Sequence, residues 1–272
     1  MGSQGPLPKF DSPPIVETVL GVEFTALDNW DIRNFGFYWN EVKDHFSSFE
    51  VKPALESRIE DLSVQVANET GVRFSTSPPE LRGWFVSNEH QRLVQIQRDR
   101  FIFNWRKGNP SAEYPEYEKS IRPDFEREFK RFSAFLKGQG LGPIEIVQCE
   151  VTYVNHLERG IGWSSAADLQ NVFKCWSPSA SMTFLPAPED VSIDVRYRLP
   201  NEGGRLYVSA KPAIRNEDGV EILQMTLTAR GRPAASDLSS ALEWLDIGRE
   251  WIVQGFTDFT TKQMHDIWKR RI

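Results

Sequence analysis

A chain of 272 residues with 32 Lys+Arg against 38 Asp+Glu, net charge -6, is no general nucleic-acid coat, though a local basic patch stays open to it. Hydrophobic residues at 40% and charged residues at 26% describe a soluble globular class, long enough for one large domain or two fused halves. No run approaches the roughly 18 apolar residues of a membrane helix, MGSQGPLPKF lacks the features of a signal peptide, and Cys149 and Cys175 are too few for a disulfide scaffold; the expectation is a cytoplasmic protein with free thiols.

Pro13 and Pro14 stiffen the approach to the first strand, where Thr18, Leu20, Val22 and Phe24 alternate with Ile15, Glu17, Val19 and Glu23. Residues 31–49 change to helical period, with an aromatic stripe from Phe35 through Trp39 and Phe46 to Phe49. Residues 51–71 are ambiguous. Segments 82–87, 92–97 and 100–106 read as antiparallel strands, and 117–137 as a helix buried through Ile121, Phe125, Phe129, Phe132 and Leu136. Gly138, Gly140 and Gly142 end it.

The second half repeats the order. Residues 144–155 are a strand, 166–175 a short helix, and 191–198, 205–214 and 221–230 are strands joined by the PNEGG and NEDG turns. A helix capped by Ser236 runs to Phe259, with Gly248 and Gly255 permitting close approach, and a last helix starts at Thr260. The expected fold is α+β: a duplicated strand–helix–strands–helix unit forming one antiparallel sheet of about eight strands, with helices on one face. Residues 1–12 are a flexible N-terminus, 13–142 the first half and 143–272 the second, packed as one domain. The element order is similar to that of TATA-binding-protein-like folds, a likeness of fold that carries no function.

PPIVETVLGVEF, VQIQRDRFIFNWRKG with the following YPEY, VTYVNH, and WIVQGFTDFTTKQMHDIW together resemble a sporadically distributed bacterial family of unknown function, marked by an opening Pro-Pro-apolar-x-Glu signature. The resemblance spans Pro13 to Trp268 and implies no activity, substrate or catalytic residue. The patchy occurrence of the family suits an accessory or mobile gene.

The face turned away from the helices is expected to carry Arg100, Asn104, Arg106, Arg196, Arg198, Lys211 and Arg230, which could meet an acidic protein or phosphates. The plain alternative is a solvated face laced with ion pairs. Glu17, Asn155 and His156 form a second polar set; Glu17 reads better as a cross-strand partner for an arginine than as a catalytic acid. No zinc spacing, P-loop or Gly-x-Ser-x-Gly elbow occurs, and GQGLGP follows a helix instead of a strand, so neither metal nor cofactor is assigned. Cys149 and Cys175 read as packing residues. The leading expectation is a non-enzymatic interaction module with a protein partner or a second copy of itself. Nucleic-acid binding through the arginines is the alternative, and an enzyme with a pocket between sheet and helices the third reading.

Overall fold

A computed structural model describes residues 6–63, 80–109, 112–177 and 184–271. They build one nine-stranded antiparallel sheet in the order β2-β3-β4-β5-β1-β6-β9-β8-β7. In the first half lie β1 (Ile15–Phe24), β2 (Ser48–Pro53), β3 (Leu81–Val86), β4 (Arg92–Gln97) and β5 (Arg100–Arg106). In the second lie β6 (Ile146–Glu158), β7 (Ile193–Arg198), β8 (Arg205–Ile214) and β9 (Glu221–Gly231). The helices are α1 (Ile32–Val42), α2 (Arg122–Gln139), α3 (Leu238–Phe259) and α4 (Lys262–Ile267). None is long and apolar enough to cross a membrane among the described residues.

The central pair is β1 with β6, and the period of two in each decides what is buried. Thr18, Leu20, Val22 and Phe24 on β1 lie beside Tyr153, Val151, Cys149 and Ile146 on β6, and all eight are buried. This face receives the helices. Phe132 of α2 is a hub, with ring centroids 5.5 Å from Phe101, 5.7 Å from Tyr38 and 5.8 Å from Trp30. Edge-to-face and stacked rings of this kind add to the burial of large apolar surface.

The structure shifts several expected boundaries. Helix α1 stops at Val42 and not at residue 49, because the Trp39 indole donates to the Phe46 carbonyl at 3.2 Å and folds the chain back. Phe49 belongs to β2, an edge strand hidden in the ambiguous region, which brings the sheet to nine strands. Residues 117–121 form a π-turn leading into α2, and the short helix of the second half is a 3-10 segment, Ala166–Asn171. Asp237 caps α3 by accepting from the Ser240 amide at 2.9 Å, and Thr261 caps α4, so each cap falls one residue later than Ser236 and Thr260. Residues 64–71 of the ambiguous 51–71 stretch lie outside the described residues.

Gly248 does permit close approach: a Cβ there would stand 3.1 Å from Val151, so α3 seats directly on β6. The two ends of the described chain also meet. The amides of Asp11 and Ser12 donate to Lys269 and Trp268, and the Arg271 amide donates to Lys9, which clasps residues 9–12 to 268–271.

Candidate functional site

Between the helix-side face of the sheet, α3 and this clasp lies a cavity of about 870 Å3, within the range of small-molecule sites. Its wall draws on segments far apart in sequence: Phe10 from the clasp, Tyr114 and Tyr117 before α2, Tyr153 and Asn155 on β6, and Arg249 and Val253 on α3. Period two on β6 aims Tyr153 and Asn155 to the helix side, and the 249–253 step brings Arg249 and Val253 to one side of α3.

Polar groups converge here. The hydroxyls of Tyr114 and Tyr153 are 2.8 Å apart. Tyr117 donates to Asp246 at 3.0 Å, and its ring carries the Arg249 guanidinium at 4.6 Å. Arg249 Nη1 donates to Glu118 at 2.7 Å, a carboxylate that is 61% exposed and stands at the mouth. Burial pushes the phenols of Tyr114, Tyr117 and Tyr153 above their ordinary range, so they remain neutral hydroxyls at neutral pH. Arg249 stays protonated: burial opposes its charge, and the Glu118 carboxylate favours it. Lys9, Lys107 and Lys269 add cationic groups to the rim. The described lining contains neither histidine nor cysteine.

Asn155 donates to the Met225 carbonyl at 3.2 Å on this same side. Glu17 and His156 lie on the other face of the sheet, where His156 stands opposite Gln224. Asn155 therefore shares no site with them, and a pocket joining the three does not form. His156 is lowered from its usual pKa first by burial and then by Arg215.

On that other face, the register gathers the expected cationic set, but most of it is already partnered. Arg100 pairs with Glu23 at 2.8 Å, Arg106 with Glu17 at 3.0 Å, Lys211 with Asp194 at 3.2 Å and Arg198 with Glu202 at 3.5 Å. Arg230 pairs with Glu150, and Asn104 donates to Glu17 at 2.8 Å. Arg196 lies over the Tyr207 ring at 5.6 Å. Arg100 and Asn104 are buried. Glu17 thus holds β1 to β5, through Arg106 directly opposite it.

A feature the sequence reading missed covers part of this face. The segment after β2 crosses the sheet as a strap. Gln97 on β4 accepts from the Leu55 amide at 3.0 Å and donates back to its carbonyl at 3.1 Å. Arg100 on β5 donates to the Glu56 carbonyl, and Ser57 donates to Glu23 on β1. Gln148 on β6 donates to the Arg58 carbonyl at 3.0 Å and accepts from the Glu60 amide at 2.7 Å. The Glu60 carboxylate then receives Arg205 at 2.7 Å and Tyr207 at 2.6 Å on β8. The available signal was two glutamines on this face, side chains able to donate and accept like a strand backbone.

Cys149 is buried on β6, whereas Cys175 is exposed, against the expectation that both pack internally. Among the described residues no group of three His, Cys, Asp or Glu is placed to hold a metal ion. Comparison with protein-family models, with curated proteins and with solved structures found no match in any of the three.

Proposed function

We propose that the protein is a binding module for a small organic anion, held in the cavity between sheet, α3 and the clasp. The observation that carries this reading is the convergence of Arg249 with the hydroxyls of Tyr114 and Tyr153 on a space of ligand size. A guanidinium offers a planar fork to carboxylate or phosphate, and neutral phenols supply further donors without competing charge. Glu118 occupies the guanidinium from the solvent side and is the group an incoming anion replaces. The reading is non-catalytic and is compatible with the accessory gene that the patchy occurrence of the resembled family suits.

The test is native mass spectrometry of gently purified protein, followed by thermal shift with a panel of small carboxylates and phosphates. The expected result is an anion that raises Tm for the native chain and fails to do so for Arg249→Gln. A panel without effect, or a shift retained in full by Arg249→Gln, would sink the reading.

A protein partner is the second reading, favoured by the outer side of edge strand β7, which has no neighbouring strand among the described residues. Nucleic-acid binding ranks below it, since the arginines it requires carry carboxylates of their own. For the architecture, we propose a duplicated unit in the manner of TATA-binding-protein-like folds. Its support is the central β1–β6 pair, flanked by β5, β4 and β3 on one side and β9, β8 and β7 on the other. Strand β2 is the departure from that symmetry.

A further inference from the structure

Strand β7 ends the sheet. It pairs with β8 through a regular register from Ile193↔Ala210 to Arg198↔Arg205, and among the described residues no strand lies on its outer side. It contains no proline and no bulge, the usual devices that blunt an edge. The opposite edge, β2, does end in Pro53, and its Lys52 and Glu50 already pair with each other at 2.6 Å.

Charges on an edge strand commonly protect against pairing, but the order of those on β7 argues otherwise. Asp194, Arg196 and Arg198 alternate with Ile193, Val195 and Tyr197, so the first three share one face and the second three the other. We propose that β7 is a self-pairing edge, joining two copies of the chain antiparallel about a two-fold axis at Val195. An isologous contact requires the strand to complement itself. Centred on Val195, Asp194 stands opposite Arg196 of the second copy, Ile193 opposite Tyr197 of the second copy, and the two Val195 side chains meet. A register moved by one residue sets the charged face of one copy against the apolar face of the other. Moving the centre to Asp194 or to Arg196 brings a charged residue opposite its own mate. Only the Val195 centre keeps both faces matched and both central charges opposed to their complements.

The groups concerned are available. Arg196 is exposed and has no acidic partner among the described residues, its guanidinium resting over Tyr207. Among the described residues Asp194 pairs only with exposed Lys211, and Tyr197 is 42% exposed at the edge. A second copy would cover Tyr197 and give Arg196 the carboxylate it lacks, extending one sheet through both molecules. The contact is short, so the dimer forms at micromolar concentration rather than as an obligate assembly.

Sedimentation velocity on the whole chain, from low micromolar to a few hundred micromolar, tests the pairing. The native chain dimerises; Asp194→Arg and Arg196→Asp each weaken the dimer by roughly tenfold or more, since each sets like charges opposite one another. The double swap Asp194→Arg/Arg196→Asp restores it, because the complementarity is reversed rather than lost. In a Cys175→Ser background, Val195→Cys cross-links to its mate on mild oxidation. Circular dichroism of each variant checks that the exposed substitutions leave the fold intact. A native chain that stays monomeric throughout overturns the proposal, as does a dimer indifferent to both single reversals. Single reversals that weaken the dimer without rescue by the double swap overturn the Val195 register.

Discussion

Glu17 and Arg106 face each other across β1 and β5, with the guanidinium Nε 3.0 Å from the carboxylate. Arg106 in turn lies 4.9 Å over the indole of Trp84, and Asn104 shares the same carboxylate oxygen at 2.8 Å. One acid thus satisfies a buried amide and orients an arginine that covers a tryptophan. Glu17→Ala leaves Asn104 Nδ2 without its acceptor, and the expected cost is about 1–3 kcal/mol. Chemical denaturation checks it, and a cycle with Arg106→Ala should give non-additive losses. Additive losses would mean that the pair contributes nothing.

The strap over the second face hangs on two amides. Gln148→Leu removes the acceptor of the Glu60 amide and the donor to Arg58 and Glu23 in one change. Hydrogen exchange at the Glu60 amide should accelerate by about tenfold or more, the loss of one buried bond. If exchange at the Leu55 amide, held by Gln97, rises with it, the strap opens as one unit; if Leu55 stays protected, its two attachments are independent.

Gly204 sits at φ +127, and a Cβ there would overlap the Arg230 carbonyl on neighbouring β9. Gly204→Ala is expected to cost about 3 kcal/mol or more, since backbone clash and a strained dihedral combine. Gly140→Ala is the control. Gly140 also has positive φ, +66, but has open space around it, so the cost should be only about 1 kcal/mol. Equal melting temperatures for the two variants would contradict the account.

His265 is buried, with Nε2 2.9 Å from the Thr260 hydroxyl and Arg270 at its other nitrogen. Burial first, then Arg270 and Lys174, lowers its pKa below the ordinary histidine value of 6.5. The folded state therefore binds this proton less readily than the unfolded one. The stabilisation is present above pH 6.5 and is lost as pH falls through the lowered folded value. Tm should decline as pH falls from 6.5 to that lowered value, and His265→Gln should flatten the decline. Persistence of the full slope in the variant would assign it to other groups, His156 first.

Much of the architecture was legible because period two is local information. The strand Arg205–Ile214 forms with the bounds the sequence predicts, and its alternation buries Leu206, Val208 and Ala210. Helix α1 was read too long because Phe46 and Phe49 continue a spacing of three and four, while Phe49 also fits the inward face of a strand. Only packing against Phe85, 5.1 Å away, separates the two. A cross-strand arginine partner for Glu17 was foreseen, since opposite charges on one face of adjacent strands attract; the register identifies it as Arg106. The cavity was not. Tyr114, Tyr153 and Arg249 carry no mutual spacing, and tertiary closure alone brings them together. The strap was invisible for a similar reason: its backbone bonds go to side chains on distant strands and leave no periodic trace.

The clasp of residues 9–12 to 268–271 has a consequence for order of assembly. A chain emerging from the ribosome can complete β1 through β9 before residues 268–271 are free to dock. The last wall of the cavity is therefore added after the sheet is finished, by closing a loop that spans nearly the whole described chain. With the intervening chain already held by the sheet, such closure orders only the terminal residues and is removable at small cost to the sheet. Deleting residues 268–271 should leave a folded sheet that has forfeited one side of its cavity, separating the capacity to fold from the capacity to retain a guest.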